Sequence, residues 1–205
     1  MKIRIPLLLI AFTAQLLVPA WTIYDQEQIR SHGQEFRFRA EPVDPYDAFR
    51  GRYVRIGFSD NTAPYYNEKK PERDQLLYAH IQTDENNLSS IKEVTIGPPA
   101  NNAPYLRVKY NWLQRKEMGN IISPENKSEE EFTPLAHFAF PMNRFYMEES
   151  IAPAAEKAYR DARRNTGHET TVTIRILNGK AVLTGLYIDD QPIADYVRSL
   201  PLNAQ

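Results

Sequence analysis

The sequence predicts an α+β fold that is rich in β-structure, with an N-terminal transmembrane helix, mostly antiparallel strands joined in hairpins, and one amphipathic helix near the C-terminus. Three observations predict this fold. An apolar run fills most of the first 24 residues, short segments of alternating apolar and polar residues recur after residue 34, and turn-forming pairs such as Asn178-Gly179 separate them.

Composition limits the classes of function. The 25 Lys and Arg against 26 Asp and Glu give a net charge of -1, so the charge balance does not predict a nucleic-acid partner. The absence of cysteine excludes disulfides, thiolate nucleophiles and cysteine-bound zinc. The histidines lack the spacing of metal ligands on one element, so neither a metal nor a cofactor is expected. They are His32, His80, His137 and His168.

Residues 1–24 are predicted to form a membrane anchor. Lys2 and Arg4 precede an apolar run over residues 5–24, and about 20 residues at about 1.5 Å each reach about 30 Å, the thickness of a hydrocarbon core. The positive-inside rule leaves the N-terminus in the cytoplasm and exports the rest of the chain. Trp21 and Tyr24 lie where an interfacial aromatic belt is expected.

A cleaved signal peptide is the alternative interpretation of this segment. Val18-Pro19-Ala20 offers small or β-branched residues to a signal peptidase, with cleavage after Ala20. The apolar run continues past that point, which favours an uncleaved anchor. Residues 25–33 are polar and are predicted to be a helical neck that ends at Gly33.

Residues 34–205 are predicted to form the exported β-rich domain, as one body or as two lobes. Alternation predicts its strands, Asp84 to Asn87 and Asn178-Gly179 predict two hairpin turns, and an apolar stripe of alanines and Tyr159 predicts the amphipathic helix. The predicted strands span residues 34–40, 52–59, 76–83, 90–96, 105–113, part of 132–147, 170–176 and 180–188, and the helix spans residues 153–165.

The densest set of backbone signals lies in residues 44–59. Asp44 and Asp47 can accept hydrogen bonds from nearby backbone N–H groups and so fix a turn, and Gly51 suits a close backbone approach. A strand with an alternating apolar face follows, including Ile56 and Phe58. A turn held by aspartates is the simplest interpretation, and no catalytic residue is assigned.

The segment Phe49-Arg50-Gly51-Arg52-Tyr53-Val54-Arg55-Ile56-Gly57-Phe58 resembles the signature of the GDYXXLXY family, bacterial membrane-anchored proteins of unknown activity. Arg52 stands where the family has aspartate, so no role of that aspartate is carried over. The resemblance implies a bacterial inner-membrane protein with a periplasmic domain and a multi-pass membrane protein as partner. The interaction candidates are Asp44, Asp47, Arg50, Gly51, Arg52, Tyr53, Ile56 and Phe58.

Three functions follow as hypotheses. The leading one is a protein-interaction or structural module of the cell envelope that docks through its sheet edges or through the turn at residues 44–53. The second is an envelope hydrolase that uses Asp44 or Asp47. The third is a small-ligand binder with a cavity inside a β-barrel-like body, lined by Tyr53, Tyr78, Tyr105 and Trp112.

Overall fold

The structure is a computed structural model that describes residues 4–42, 53–67, 69–101, 103–116, 133–164 and 167–200. Within these ranges it contains the helices α1 (Arg4–His32), α2 (Ala152–Arg164) and α3 (Ile193–Ser199). Its strands are β1 (Gln34–Pro42), β2 (Tyr53–Phe58), β3 (Thr62–Pro64), β4 (Leu76–Thr83), β5 (Ser89–Thr95), β6 (Tyr105–Lys116), β7 (Thr133–Ala139), β8 (Arg144–Tyr146), β9 (Thr170–Leu177), β10 (Lys180–Ile188) and β11 (Gln191–Pro192).

The strands form two antiparallel sheets. Six strands make the first sheet in the order β11-β10-β9-β1-β2-β8, and five make the second in the order β3-β7-β6-β4-β5. A parallel bridge between Tyr65 and Val94 joins the end of β3 to β5, so the second sheet curls towards a barrel. The predicted β-rich fold of antiparallel hairpins is confirmed, and β1 is placed beside β9, about 130 residues away in sequence.

Both sheets contribute to one hydrophobic core. In β1 the buried side chains are Phe36, Phe38 and Ala40, and in β2 they include Ile56 and Phe58, which are the faces that alternation predicts. The rings of Phe38 and Phe58 meet edge to face, with centroids 6.4 Å apart. Buried residues of the second sheet belong to the same cluster, so its curled interior is filled by side chains.

Two helices cover part of this core. The stripe predicted for α2 is buried, with Ala155, Ala158, Tyr159 and Ala162 all facing inward. The prediction of one amphipathic helix near the C-terminus was incomplete, because α3 packs beside α2. At seven residues α3 is too short for helical periodicity to stand out in the sequence.

Helix α1 is continuous from Arg4 to His32 and therefore includes the predicted neck. Its last turns contact β9 and β10, where Ile29 is buried, and Gly33 ends it with a 2.8 Å bond from its N–H to the carbonyl of Ile29. In the part of the chain that the structure describes, no helix is both long enough and apolar enough to qualify as a membrane span, so the transmembrane part of the predicted fold is not supported.

Candidate functional site

The interaction candidates from the signature fall into three groups. Asp44, Asp47, Arg50, Gly51 and Arg52 lie outside the described residues, so the predicted turn and the hydrolase hypothesis stay predictions. Ile56 and Phe58 are buried in the core, which gives them a structural role. Tyr53 is only half-buried, at the end of β2 that follows the turn segment.

Tyr53 belongs to an aromatic and cationic group at the edge of the first sheet. Its ring meets the ring of Tyr146 on β8 with centroids 5.8 Å apart, and the guanidinium carbon of Arg144 lies 5.0 Å from the Tyr53 ring centroid. Tyr146 is exposed. Among the described interaction candidates Tyr53, Ile56 and Phe58, Tyr53 is thus the one that reaches a surface able to contact a partner.

The four aromatic residues predicted to line one ligand cavity do not meet, and that prediction was wrong. Tyr53 pairs with Tyr146, whereas Tyr78 pairs with Tyr105 at a centroid distance of 5.4 Å. Trp112 stacks on a histidine of β7 at 3.6 Å. Alternation within a strand does not show which strands will be neighbours, so the sequence did not reveal which of these rings would meet.

The structure instead forms a polar cleft between the first sheet and the β4–β5 hairpin, here called the Arg37 cleft. Its volume is about 530 Å³, within the range of about 300–1,000 Å³ that is usual for small-ligand sites. Its lining includes Gln34, Arg37, Asn87, Ser89, Thr173 and Tyr187. Most small-molecule pockets are lined by apolar residues, so this cleft suits a polar ligand.

Arg37 is held in place by several contacts. Its Nε and Nη2 donate hydrogen bonds to Oγ1 of Thr171 at 3.0 and 2.8 Å, and Nη2 also forms an ion pair with Asp190. Its guanidinium carbon lies 5.7 Å from the ring centroid of Tyr187. A planar guanidinium fixed on one edge leaves less rotamer entropy to be lost when a ligand binds.

Tyr187 lies across a glycine of its own strand. A Cβ on Gly185 would come within 2.5 Å of Cε2 of Tyr187 and within 2.6 Å of Oγ1 of Thr173. The register of β10 shifts between Leu183 and Gly185, and the hydroxyl of Thr184 donates to the carbonyl of Thr173 at 3.2 Å. The glycine and the bulge therefore let the ring lie close against the sheet.

The opposite wall of the Arg37 cleft is the turn that the sequence predicted. Oδ1 of Asp84 accepts hydrogen bonds from the N–H groups of Asn86 and Leu88 at 2.9 and 2.8 Å, and Asn87 has φ of 60°. Ser89 is buried, and its hydroxyl lies 3.1 Å from that of Thr83. These bonds fix the backbone that presents Asn87 to the cleft.

The β10–β11 turn connects the Arg37 cleft to a second feature. Asp189 and Asp190 have φ of 48° and 64°, which fits the two-residue type I′ turn of a tight hairpin. Asp190 pairs with Arg37, while Oδ2 of Asp189 lies 2.5 Å from Nδ1 of His168. The two carboxylates therefore bind different partners.

His168 borders a smaller cleft of about 200 Å³ between α2 and α3, lined also by Lys157, Asp161 and Tyr196. The hydrogen bond from His168, followed by one from the N–H of Glu169, lowers the pKa of Asp189 below its ordinary value. The described lining of this cleft contains no serine, threonine or cysteine side chain beside the His–Asp pair. Among the described residues, no cluster of three or more acidic or histidine side chains is suited to a metal ion.

Sequence reasoning missed Arg37, Tyr187 and His168 as site residues. One signal was available: an isolated glycine inside a strand, here Gly185, marks a bulge or a close approach. The pairing of β9 with both β1 and β10 brings Arg37 to Tyr187, and it leaves no such local signal because β1 is distant from the other two strands in the sequence.

Comparison with known proteins agrees with the motif. The model of the family described as GDYXXLXY protein matches residues 15–186, which is 172 of the 205 residues. No curated protein and no solved structure matches the chain. Because the matched region covers most of the chain, from α1 into β10, the chain belongs to the GDYXXLXY family.

Proposed function

We propose that this protein is an envelope interaction module, held at the bacterial inner membrane by α1 with its β-rich domain on the periplasmic side. The observation that carries the proposal is the apolar surface of α1. Eight of its large apolar side chains are at least 57% exposed. They are Leu8, Phe12, Leu16, Leu17, Val18, Trp21, Ile23 and Tyr24.

Exposing this apolar surface of α1 to water is unfavourable in free energy. Fully burying one large apolar side chain is worth about 1.5–3 kcal/mol, so covering these eight partly exposed ones is worth on the order of 10 kcal/mol. That matches the whole stability of a typical domain, about 5–15 kcal/mol. A helix that is apolar on all sides suits a lipid environment or a protein interior. The apolar run in the sequence begins at Ile5, ahead of Leu8, which is the first of these eight exposed side chains.

The domain is fixed to α1 at one end of the β9–β10 hairpin. Nη1 of Arg175 donates a 2.9 Å bond to the carbonyl of Arg30, and Nζ of Lys180 lies 2.7 Å from Asp25. Asp25 directly follows Tyr24, the last aromatic residue of the apolar run. These contacts support a single orientation in which the hairpin tip, residues 177–180, lies nearest the membrane surface.

The opposite end of β10 would then point away from the lipid. Lys180 and Ile188 are eight steps apart along the strand, which is about 26 Å at about 3.3 Å per residue. Positive charge at Lys2 and Arg4 favours a cytoplasmic N-terminus and so an exported domain. The partner suggested by the family resemblance is a multi-pass membrane protein, and the Tyr53, Arg144 and Tyr146 group offers it an aromatic and cationic contact surface.

Because the chain has no cysteine, single cysteine variants test the orientation directly. Full-length Asn178→Cys and Gln191→Cys chains, each carrying the same fluorophore, are reconstituted in vesicles that contain a nitroxide-labelled lipid headgroup. We expect stronger quenching at residue 178, which is exposed at the hairpin tip, than at residue 191, and similar emission from both in vesicles without nitroxide. Equal quenching at both sites would contradict the orientation.

Two further measurements test anchor and topology separately. The chain should remain in the membrane pellet after a high-salt wash, because salt screens charge but does not weaken apolar insertion. In intact spheroplasts a membrane-impermeant maleimide should label Gln191→Cys. Release of the chain into the soluble fraction would overturn the anchor, and labelling only after lysis would overturn the periplasmic location.

A further inference from the structure

We propose that the Arg37 cleft binds an uncharged oligosaccharide. This inference goes beyond the proposed function, since it needs only the described β domain and neither the anchor nor its topology. Three properties of the cleft support it: its charges are paired, its planar groups are held in place by neighbouring residues, and its remaining lining consists largely of amides and hydroxyls.

The charged residues that line the described cleft already have partners. Arg37 pairs with Asp190, and Nε of Arg175 lies 3.3 Å from Oε2 of Glu35. A polyanion would have to compete with Asp190 for Arg37, and a polycation would have to compete with arginines for the carboxylates. A neutral ligand does not have to displace either ion-pair partner, and it can still form hydrogen bonds with these charged side chains.

The planar groups suit the face of a sugar ring. The phenol ring of Tyr187 lies across Gly185, and the guanidinium of Arg37, held by Thr171 and Asp190, lies over that ring with its carbon 5.7 Å from the centroid. Pyranose rings carry C–H groups on their faces and hydroxyls around their edges. Rigid aromatic surface with a polar tip contacts such a face at low conformational cost.

The rest of the lining can satisfy the hydroxyls. Gln34 and Asn87 each carry an amide that offers both donors and an acceptor, and Thr83, Ser89 and Thr173 add hydroxyl groups. A sugar hydroxyl also both donates and accepts, so the two sets are complementary. The volume of about 530 Å³ and the position between two sheets leave room for more than a single ion or water.

The test uses the full chain in a detergent without a sugar headgroup, so that the detergent cannot occupy the cleft. Calorimetric titration compares two neutral probes, fully N-acetylated chitotetraose and cellotetraose, with the polyanion tetragalacturonate. We expect saturable 1:1 binding of at least one neutral probe and about tenfold weaker binding of the polyanion. No saturable binding of either neutral probe, or a preference for the polyanion, would overturn the proposal.

Variants locate the binding. Tyr187→Ala should weaken it about tenfold through loss of the planar contact, whereas Tyr187→Phe keeps the ring and should stay within about threefold. Tyr66→Ala removes an exposed tyrosine that does not line the cleft and should leave affinity unchanged. If Tyr187→Ala proves unfolded by thermal melting, Gln34→Ala replaces it, with the same expected direction. Binding that survives both Tyr187→Ala and Gln34→Ala would show that the sugar lies elsewhere and would refute the proposal.

Discussion

The Nζ atom of Lys180 lies 2.7 Å from both carboxylate oxygens of Asp25, and this ion pair joins helix α1 to the tip of the β9–β10 hairpin. The two side chains are 48% and 36% exposed, so water screens the pair. Surface pairs of this kind contribute about 0–1 kcal/mol. The contact therefore helps set orientation more than stability.

A double-mutant cycle with Asp25→Ala and Lys180→Ala should give a coupling below about 1 kcal/mol in denaturant unfolding of the full chain, and higher salt should reduce it. A coupling above about 2 kcal/mol would mean that the pair is desolvated, contrary to its exposure. Arg198→Ala with Asp195→Ala, an exposed pair at 3.2 Å within α3, serves as the comparison.

Gly33 should tolerate no side chain. A Cβ there would lie 2.4 Å from the carbonyl oxygen of Ile29 and 3.0 Å from the backbone nitrogen of Ile176. Both atoms belong to backbone that cannot rotate away, so we expect Gly33→Ala to lower the unfolding free energy by about 1–3 kcal/mol. Gly97→Ala is the matched control, because nothing lies within 4 Å of its added Cβ and its effect should stay within about 0.5 kcal/mol. Equal melting of the two variants would show that α1 and β1 are joined more loosely than the structure describes.

Local signals explain which elements could be predicted. The Asn178-Gly179 turn has φ of 52° and 74°, and both hairpins follow from turn residues next to alternating strands. Gly33 was predicted as the end of the helix, but its φ is not positive and its reason for being glycine is the close approach to Ile29 and Ile176. The sequence therefore gives the correct position for the end of the helix, but glycine is needed there because of a tertiary contact.

Elements and sites that depend on distant partners could not be predicted. Strand β3 spans only Thr62–Pro64, inside what the sequence presents as a loop, and it exists because β7 pairs with it. Arg37 faces Thr171 and Asp190 only because β1 lies beside β9, a separation of more than 130 residues. Alternation gives the face of a strand but not its neighbours, so the core was predictable and the Arg37 cleft was not.

Gly185→Ala should affect ligand binding more than stability. The added Cβ would come within 2.5 Å of Cε2 of Tyr187, which is a side chain and can rotate away. We therefore expect a smaller loss of unfolding free energy than for Gly33→Ala, together with about tenfold weaker binding of the neutral tetrasaccharide, because the ring leaves its place in the cleft. Thermal melting and calorimetry on the same sample provide both values. Unchanged affinity would show that the ring position does not matter for binding.

The carboxylate of Asp189 should support the fold above acidic pH. The hydrogen bond from His168 lowers the pKa of Asp189 below its ordinary value of 3.8, so the native state binds this proton less readily than the unfolded state. Its contribution is complete above pH 3.8 and is lost as pH falls through the lower folded pKa. The difference in unfolding free energy between the natural chain and Asp189→Asn should accordingly shrink in strong acid. A difference that grows in acid would reverse the assigned direction.

His137 should make the fold sensitive to milder acid. Burial lowers the pKa of His137 below its ordinary value of 6.5, and the ring stacks on Trp112 at a centroid distance of 3.6 Å while Nε2 lies 2.9 Å from Oε1 of Gln114. Between the folded pKa and pH 6.5 the unfolded state binds more protons, so stability falls as pH falls through this window. His137→Phe keeps a stacked ring but does not titrate, and it should remove this part of the pH dependence.

The fluorescence of Trp112 reports the same titration. In a Trp21→Phe background Trp112 is the remaining indole, and a protonated imidazole against its face should quench its emission. We expect a fluorescence transition with a midpoint below pH 6.5 that is absent from the variant also carrying His137→Phe. A midpoint at or above 6.5 would mean that water reaches the imidazole freely and that the stack with Trp112 does not desolvate it.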